Sequence, residues 1–164
     1  MSVLALAREI AESVPDPELP MLTLADLGIL REVSADGDRV IVSLTPTYSG
    51  CPALADMRRD LSRRLAAAGL DAEVRTALSP AWSSDWITAA GRRKLSAAGI
   101  APPLPAPPRG GPVPLNLTPV RRDVACPLCG ASGAEQTAAF SATACKALYR
   151  CADCGEPFEY VKEI

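Results

Sequence analysis

The sequence contains no histidine, and this absence removes several kinds of chemistry at once. Histidine is the most common general base near neutral pH, and it completes Ser-His and Cys-His nucleophilic sites. Zinc sites that need an imidazole ligand are excluded as well. The donor atoms left for a metal ion are therefore cysteine sulfur and carboxylate oxygen.

Long hydrophobic runs and a strong net charge are also missing. No stretch approaches the roughly 18 apolar residues that a membrane span needs, and residues 1–14 carry Arg8, Glu9 and Glu12 within their apolar pattern, unlike a signal peptide. The net charge of -2 gives no reason to expect binding to nucleic acid or to an anionic membrane. We therefore expect a cytoplasmic protein, whose six cysteines indicate metal or thiol chemistry and not disulfides.

Proline is concentrated in one segment. Eight of the 16 prolines lie between Ala101 and Val120, where no apolar periodicity is found. Such a composition is typical of a semi-extended spacer. The sequence therefore predicts a first domain over residues 1–100, a Pro-rich linker over 101–120 and a small second module over 121–164.

The first half of the predicted domain begins with a helix and a hairpin. Apolar residues at helical spacing predict a helix from Val3 to Val14, with Ser2 as its N-cap. Extended runs over Ile29–Val33 and Val40–Leu44 flank a turn at Asp36-Gly-Asp, and this arrangement predicts an antiparallel pair of strands.

The second half of the domain adds two helices and a strand. Pro52 suits the first turn of a helix that Gly69 can end, the alternating run Ala72–Leu78 predicts a strand, and Thr88–Ala98 predicts a third helix. The fold class is therefore α+β: a small domain with three helices and a mainly three-stranded sheet, followed by a C-terminal zinc-ribbon module. The pattern does not set the order of the strands.

Two Cys-x-x-Cys pairs identify the second module. Each pair is followed directly by glycine, and 21 residues separate Cys129 from Cys151. A tight turn lets two thiolates converge on one ion, and two such turns complete a tetrahedral site with Zn–S distances near ~2.3 Å. The predicted ligands of this structural zinc, for which iron is an alternative, are Cys126, Cys129, Cys151 and Cys154. A closed four-thiolate site serves folding and not catalysis.

The charge of the module argues against nucleic acid. Residues 121–164 hold five Lys or Arg against six Asp or Glu, whereas phosphate binding needs clustered positive charge. The module's aromatic residues are predicted to form its minimal core, with a protein-facing surface as the alternative. In the first domain Trp82 and Trp86 are predicted to cap the core, and an exposed pair would instead mark a partner surface.

Cys51 is the candidate functional residue of the first domain. It follows a predicted strand in the run Thr45-Pro-Thr-Tyr-Ser-Gly-Cys-Pro, next to the start of a helix, a position that favours a thiolate able to bind a soft metal. The alternative is a small apolar residue packed under the turn. Asp16 and Glu18 could supply oxygen ligands, or could simply form an Asx turn. Cys145 is either buried or a second exchangeable thiol.

Four motifs together resemble one known family. They are Asp16-Pro-Glu-Leu-Pro, Asp26-Leu-Gly-Ile, Thr45-Pro-Thr-Tyr-Ser-Gly-Cys-Pro and Thr143-Ala-Cys-Lys-Ala-Leu-Tyr-Arg-Cys. The chain resembles the PaaD (PaaJ) family of bacterial phenylacetate degradation over nearly its whole length. Its first part is similar to the iron-sulfur assembly domain of SufT and of the eukaryotic cytosolic iron-sulfur targeting factors.

The resemblance implies a function. It implies an accessory protein, not an enzyme, of the multicomponent phenylacetyl-CoA 1,2-epoxidase, which includes a di-iron oxygenase subunit and a reductase with flavin and an iron-sulfur centre. The expected task is to assemble or deliver iron or an iron-sulfur cluster to one of these partners. In this interpretation Cys51 binds the transient cargo, Asp16 and Glu18 line the same pocket, and Cys145 is the extra thiol.

Two further expectations complete this interpretation. A homodimer could share a cluster, because one thiol with carboxylates cannot enclose a 2Fe-2S unit. The alternative function is a non-catalytic structural or adaptor subunit of the oxygenase complex, which would use the ribbon and the tryptophan surface without any cargo.

Overall fold

The computed structural model of the chain describes residues 2–107 and 122–164. It divides into two compact units, Met1–Lys94 and Leu95–Ile164. Residues 108–120 of the predicted linker, and Arg121 at the start of the predicted ribbon module, lie outside the described residues. Within the described residues no helix has both the length and the apolar character needed to cross a membrane.

Three helices form where the apolar spacing and the capping residues place them. The side chain of Ser2 accepts a hydrogen bond from the backbone N–H of Ala5, as an N-cap does, and Gly69 and Gly99 follow the second and third helices with positive φ angles. The helices are α1 (Val3–Glu12), α2 (Leu54–Ala67) and α3 (Ala89–Ala97), with a short 3-10 helix at Ser84–Trp86. Pro52 lies before α2, so the predicted start of that helix was two residues too early.

A three-stranded sheet forms the centre of the first unit. Its strands are β1 (Leu30–Asp36), β2 (Arg39–Leu44) and β3 (Ala72–Thr76), in the order β1-β2-β3. The β1–β2 pair is antiparallel, which confirms the predicted hairpin, and β2 pairs with β3 in parallel. Because α2 connects the two parallel strands, the turn that holds Cys51 follows the carboxyl end of β2.

The core of the first unit is almost entirely aliphatic. Val42 and Leu44 of β2 pack in a core with Leu61 and Leu65 of α2, and all four side chains are fully buried. Trp82 is 2% exposed, and its indole Nε1–H donates to the backbone oxygen of Leu27 at 2.8 Å. The prediction that Trp82 caps the core is therefore confirmed.

Trp86 has a different role from Trp82. It is half-buried, and the guanidinium of Arg31 lies 3.7 Å from its ring centroid, a cation–π contact.

The second unit is built on a four-stranded sheet. Its strands are β4 (Ile100–Ala101), β5 (Glu135–Ala138), β6 (Lys146–Arg150) and β7 (Pro157–Val161), in the order β4-β7-β6-β5. Tyr149 stacks on Phe158 and meets Tyr160 edge-on, so aromatic rings form the core that the sequence predicted. Phe140 is the exception, because it is 65% exposed.

The sheet of the second unit also takes in residues ahead of the proline-rich segment. Strand β4 pairs in parallel with β7, and the backbone N–H of Leu104 donates to the buried hydroxyl of Tyr160 at 3.2 Å. Ala101, the first residue of the predicted linker, is thus a strand residue that is only 1% exposed.

Candidate metal centre and the lone thiol

The two cysteine pairs lie in turns of the same design. In the first turn the N–H of Gly130 donates to the oxygen of Cys126 at 2.9 Å, and the N–H of Cys126 donates to the oxygen of Ala131 at 2.8 Å. The second turn repeats both bonds, from Gly155 to Cys151 and from Cys151 to Glu156, at 3.2 and 3.0 Å. Gly130 and Gly155 have φ angles of 79° and 76°, a conformation that side chains disfavour.

These turns bring four sulfur atoms together. The Sγ atoms of Cys126, Cys129, Cys151 and Cys154 all lie within 4.8 Å of one another. Cys129 and Cys151 are 3.5 Å apart at sulfur, and Cys126 and Cys154 are 3.9 Å apart. A tetrahedral ion with metal–sulfur bonds of about 2.3 Å needs sulfurs about 3.8 Å apart. The residues present therefore fit a four-coordinate metal ion.

Backbone N–H groups lower the pKa of one of these four thiols and so favour the thiolate that binds a cation. N–H groups of the second turn, first that of Cys154 and then that of Asp153, lower the pKa of Cys151 to about 7. The pKa of Cys154 moves the other way: a bond from Glu156 lowers it, but burial and the neighbouring sulfurs raise it to about 12. Four thiolates cannot gather without a compensating positive charge, so metal binding must release protons and depend on pH.

Cys145 is not one of the four converging sulfurs. It lies just before β6 in the second unit and is half-buried. Its sulfur is 3.1 Å from the hydroxyl of Thr143, and its backbone oxygen accepts from the N–H of Lys162 at 2.9 Å.

Cys51 lies in the irregular turn between β2 and α2. Its N–H donates to the oxygen of Tyr48 at 3.2 Å, and its oxygen accepts from the N–H of Leu54, the first residue of α2, at 3.3 Å. The residue is half-buried, so it is not sealed inside the core. Because the N-cap of α2 is Ala53, the thiol lies two residues ahead of the helix cap.

The acidic turn is organised around Asp16. This residue is 5% exposed, and its Oδ1 accepts from the N–H groups of Glu18 and Leu19 at 2.9 and 2.8 Å. The arrangement is the Asx turn that the sequence offered as the simpler explanation. Glu18 itself is exposed.

Of the two predicted sites, only the ribbon site has its ligand atoms close together in the structure. Across residues 2–107 and 122–164, the ribbon quartet is the one group of three or more Cys, Asp or Glu side chains whose ligand atoms converge. Cys51, Asp16 and Glu18 do not form such a group, and Cys145 belongs to the other unit. Their assignment to a common cargo site therefore stays a prediction.

Sequence reasoning missed one ionic pair in each unit that has a buried member. In the first, Lys94 contacts Asp26 at 2.6 Å. In the second, Lys146 is only 5% exposed and contacts Glu159 at 2.7 Å. The alternation of β6 around Lys146 could have indicated an inward-facing lysine, but the Asp26–Lys94 pair joins residues 68 positions apart and leaves no local signal.

Comparison with known protein families and solved structures first shows which kinds of domain the chain contains. Residues 8–79 match the family model "Iron-sulfur cluster assembly protein", and residues 111–162 match "PaaD zinc beta ribbon domain". The crystal structure of a domain of unknown function, DUF59, from Bacillus anthracis aligns with a TM-score of 0.52 at 25% identity, covering 57% of this chain and 91% of that one. A Mycobacterium tuberculosis protein associated with Fe-S complex assembly and repair aligns at 36% identity over 59% of this chain and 86% of that one, with a TM-score of 0.34. The protein thus joins an assembly-type domain to a zinc ribbon.

The family follows from a relative that matches both modules. The chain is 40% identical over 152 residues to an Escherichia coli (strain K12) protein that is named as a putative subunit of 1,2-phenylacetyl-CoA epoxidase. The match covers 92% of this chain and 87% of the relative. The chain belongs to the PaaD family of phenylacetyl-CoA epoxidase subunits.

Proposed function

We propose that this protein is an accessory factor of the multicomponent phenylacetyl-CoA 1,2-epoxidase. Its task is to assemble or deliver iron or an iron-sulfur cluster to the reductase or to the di-iron oxygenase subunit, and it does not itself catalyse epoxidation. The match of residues 8–79 to iron-sulfur cluster assembly proteins supports the chemistry, and the similarity to an epoxidase subunit supports the partner.

The position of Cys51 carries the proposal. Cys51 is the single cysteine of residues 1–94, and a thiolate is the soft ligand that iron and iron-sulfur clusters prefer. It lies half-buried in a turn outside the regular elements, and the turn holds its backbone through Tyr48 and Leu54.

One thiolate can hold cargo only in part. A cluster bound at Cys51 needs ligands from elsewhere: a second copy of the chain, the recipient protein, or Cys145 as a second thiol. Asp16 gives one carboxylate oxygen to its own turn, and Glu18 is exposed; either carboxylate is a candidate oxygen ligand for the cargo. Incomplete ligation suits a carrier, because the cargo must leave again.

The ribbon has a structural task in this proposal. Its four sulfurs leave no open coordination position, so the zinc they would hold, or iron in its place, supplies folding energy and no reaction step. A ribbon fixed in this way can present a constant surface to the recipient protein.

Anaerobic reconstitution with ferric iron, sulfide and dithiothreitol tests the carrier role. Visible cluster absorbance should appear in the wild type and be lost in Cys51→Ala. Cys145→Ala is the matched control, because it removes another half-buried thiol outside the quartet; loss of absorbance in this variant as well would make Cys145 the second thiol of the cargo site. Metal analysis should give one zinc per chain in aerobic and anaerobic preparations, with additional iron only in the anaerobic one. Equal absorbance in wild type and Cys51→Ala would refute the proposal.

An adaptor without cargo is the second candidate. Two large apolar side chains of the second unit, Phe140 at 65% and Leu128 at 57%, are exposed and could bind another subunit. If the protein is an adaptor, Phe140→Ser should weaken co-purification with the oxygenase subunits, while Cys51→Ala has no effect on epoxidase activity in cells. Reduced activity in Cys51→Ala with intact co-purification would favour the carrier.

A further inference from the structure

Each edge of the first unit's sheet is covered by one arginine from a helix. At the β1 edge, Arg8 of α1 donates from Nη2 to the backbone oxygen of Val33 at 3.3 Å. At the β3 edge, Arg58 of α2 donates from Nη2 to the backbone oxygen of Val74 at 3.2 Å. A long cationic side chain over a free edge is a common way to block unwanted strand pairing.

The backbone of β3 has open pairing positions on this edge. The oxygen of Asp71 accepts from Val40, and the N–H of Ala77 donates to Leu44, both at 2.8 Å, so the odd-numbered residues of this segment bond to β2. Because successive residues alternate, the N–H and C=O groups of residues 72, 74 and 76 point to the other side. Among the strands of the described residues, none pairs there.

A groove runs beside the β3 edge, and its charge differs from that of the groove at β1. The β3 groove has a volume of about 470 Å³ and contains two arginines, Arg58 and Arg59, against one glutamate, Glu73. The groove at β1 has about 120 Å³, and its two arginines are matched by two glutamates. The β3 groove is thus larger and carries excess positive charge.

Arg58 supplies that excess. The three other arginines of α2 form ion pairs with aspartates of the same helix: Arg59 with Asp56, and Arg63 and Arg64 with Asp60. Within residues 2–107 and 122–164, Arg58 has no carboxylate within ion-pair distance, and its hydrogen-bond acceptor is the edge carbonyl of Val74. A guest strand whose N–H donated to the Val74 oxygen would displace the guanidinium of Arg58. The guanidinium could then pair with a carboxylate of the guest.

We propose that the β3 edge and its groove bind an extended acidic segment of a partner protein as a fourth strand. The guest backbone pairs with residues 72, 74 and 76, and its alternate carboxylates meet Arg58. A second copy of this chain is the rival occupant: pairing β3 with itself about Val74 would set Glu73 opposite Arg75, but it would bring two Arg58 guanidinium groups together and give neither a carboxylate. The site is independent of Cys51, so it stands whether or not the protein carries iron.

A designed peptide tests the site on the full-length metal-loaded protein. The probe is fluorescein-labelled Thr-Glu-Val-Glu-Thr-Glu-Val, compared with the same peptide carrying Gln at each Glu. We expect saturable binding of the acidic peptide by fluorescence anisotropy, at least about tenfold weaker binding of the Gln peptide, and slower amide exchange at residues 72, 74 and 76. Added salt should weaken binding.

Three variants make the test specific. Arg58→Gln should weaken acidic-peptide binding about tenfold or more, and Ser62→Glu, which adds negative charge to an exposed wall of the groove, should weaken it while leaving the fold intact. Arg8→Gln is the matched control at the opposite edge and should leave binding unchanged. Absent binding, equal loss in Arg8→Gln, unprotected amides at 72, 74 and 76, or concentration-dependent dimerisation through β3 would each overturn the proposal.

Discussion

The two units reach a stable fold by different physical means. The first packs aliphatic side chains from helices and a sheet into a core that includes Leu22, Leu61 and Trp82. Among the described residues of the second, the core cluster has nine members, and two of them, Cys126 and Cys151, are also metal-ligand candidates. A unit this small buries too little apolar surface to fold securely alone, so it needs a cross-link.

The two units also differ in where their cysteines lie. In the second unit four sulfurs face one another at the candidate metal site, whereas the single cysteine of the first unit lies half-buried in the turn between β2 and α2. We therefore expect loss of Cys51 to destabilise the first unit less than loss of a ribbon cysteine destabilises the second.

The largest effect should follow from removing a ribbon ligand. Cys151→Ser should abolish tight metal binding and unfold the second unit, because metal-binding energies of about 10 to 16 kcal/mol in small thiolate sites are folding energy. Nuclear magnetic resonance of the amides should then show collapsed dispersion for residues 122–164 and native shifts for residues 2–94. A native ribbon spectrum in the variant, or in the wild type after chelation, would contradict the metal-dependent fold.

The next largest effect should come from Gly28 in the first unit. Its φ is +67°, and a Cβ at this position would lie 2.6 Å from Cβ and 2.7 Å from the backbone oxygen of Trp86. Gly28→Ala should cost about 2 to 5 kcal/mol in the free energy of unfolding of this unit, from backbone strain plus overpacking. Denaturant unfolding followed by tryptophan fluorescence measures it, since both tryptophans lie in the first unit.

Gly37→Ala is the matched control for that substitution. Gly37 has a φ of +60°, but a Cβ added there would meet no atom within 4 Å, so only the backbone cost of about 1 kcal/mol applies. Equal losses in the two variants would mean that the close approach of Trp86 has no energetic importance.

A pH-dependent effect is expected from Asp26. Burial alone would raise its pKa, but the hydrogen bond and charge of Lys94, with bonds from Thr23, hold the pKa of Asp26 below its usual value. A lowered folded-state pKa stabilises the fold above the unfolded value of about 3.9, and that contribution is lost as pH falls through the folded value. The side chain of Lys94 is 45% exposed, so solvent screens the pair.

Asp26→Asn should therefore lower stability by about 1 to 2 kcal/mol at pH 7 and by less at pH 3. Urea unfolding of the first unit at both pH values measures the difference. Asp56→Asn, which removes an ion pair between side chains that are 60% and 75% exposed, should change stability by no more than about 0.5 kcal/mol. A pH-independent loss in Asp26→Asn would rule out the ionic origin.

The sequence predicts the local features of both units well. Ser2, Gly69 and Gly99 set helix ends through backbone chemistry within a few residues, and the paired cysteines define the ribbon because each turn is a five-residue unit. These signals depend on neighbours in the chain. They are readable for that reason.

Long-range pairing is what the sequence could not supply. The parallel contact of β2 with β3 and the parallel contact of Ile100–Ala101 with β7 join segments about 30 or more residues apart, and no turn residue fixes either. The interaction of Arg58 with Val74 is hidden for the same reason, because an exposed helix arginine looks like a solvated charge. The proline content of residues 101–120 indicated a spacer that begins at Ala101, whereas Ala101 is paired with Tyr160 in the sheet of the second unit.

The smallest effect should come from the hydroxyl that ties this segment to the ribbon. Tyr160 is 1% exposed, and its oxygen accepts from the N–H of Leu104, so Tyr160→Phe should cost about 1 kcal/mol and speed amide exchange at Leu104. Tyr149→Phe is the control: it removes a hydroxyl that donates to Gln136 at 3.3 Å within the β5–β6 pair, so exchange at Leu104 should stay unchanged. Equal exchange at Leu104 in both variants would mean that the Tyr160 hydroxyl does not hold Leu104 against the ribbon.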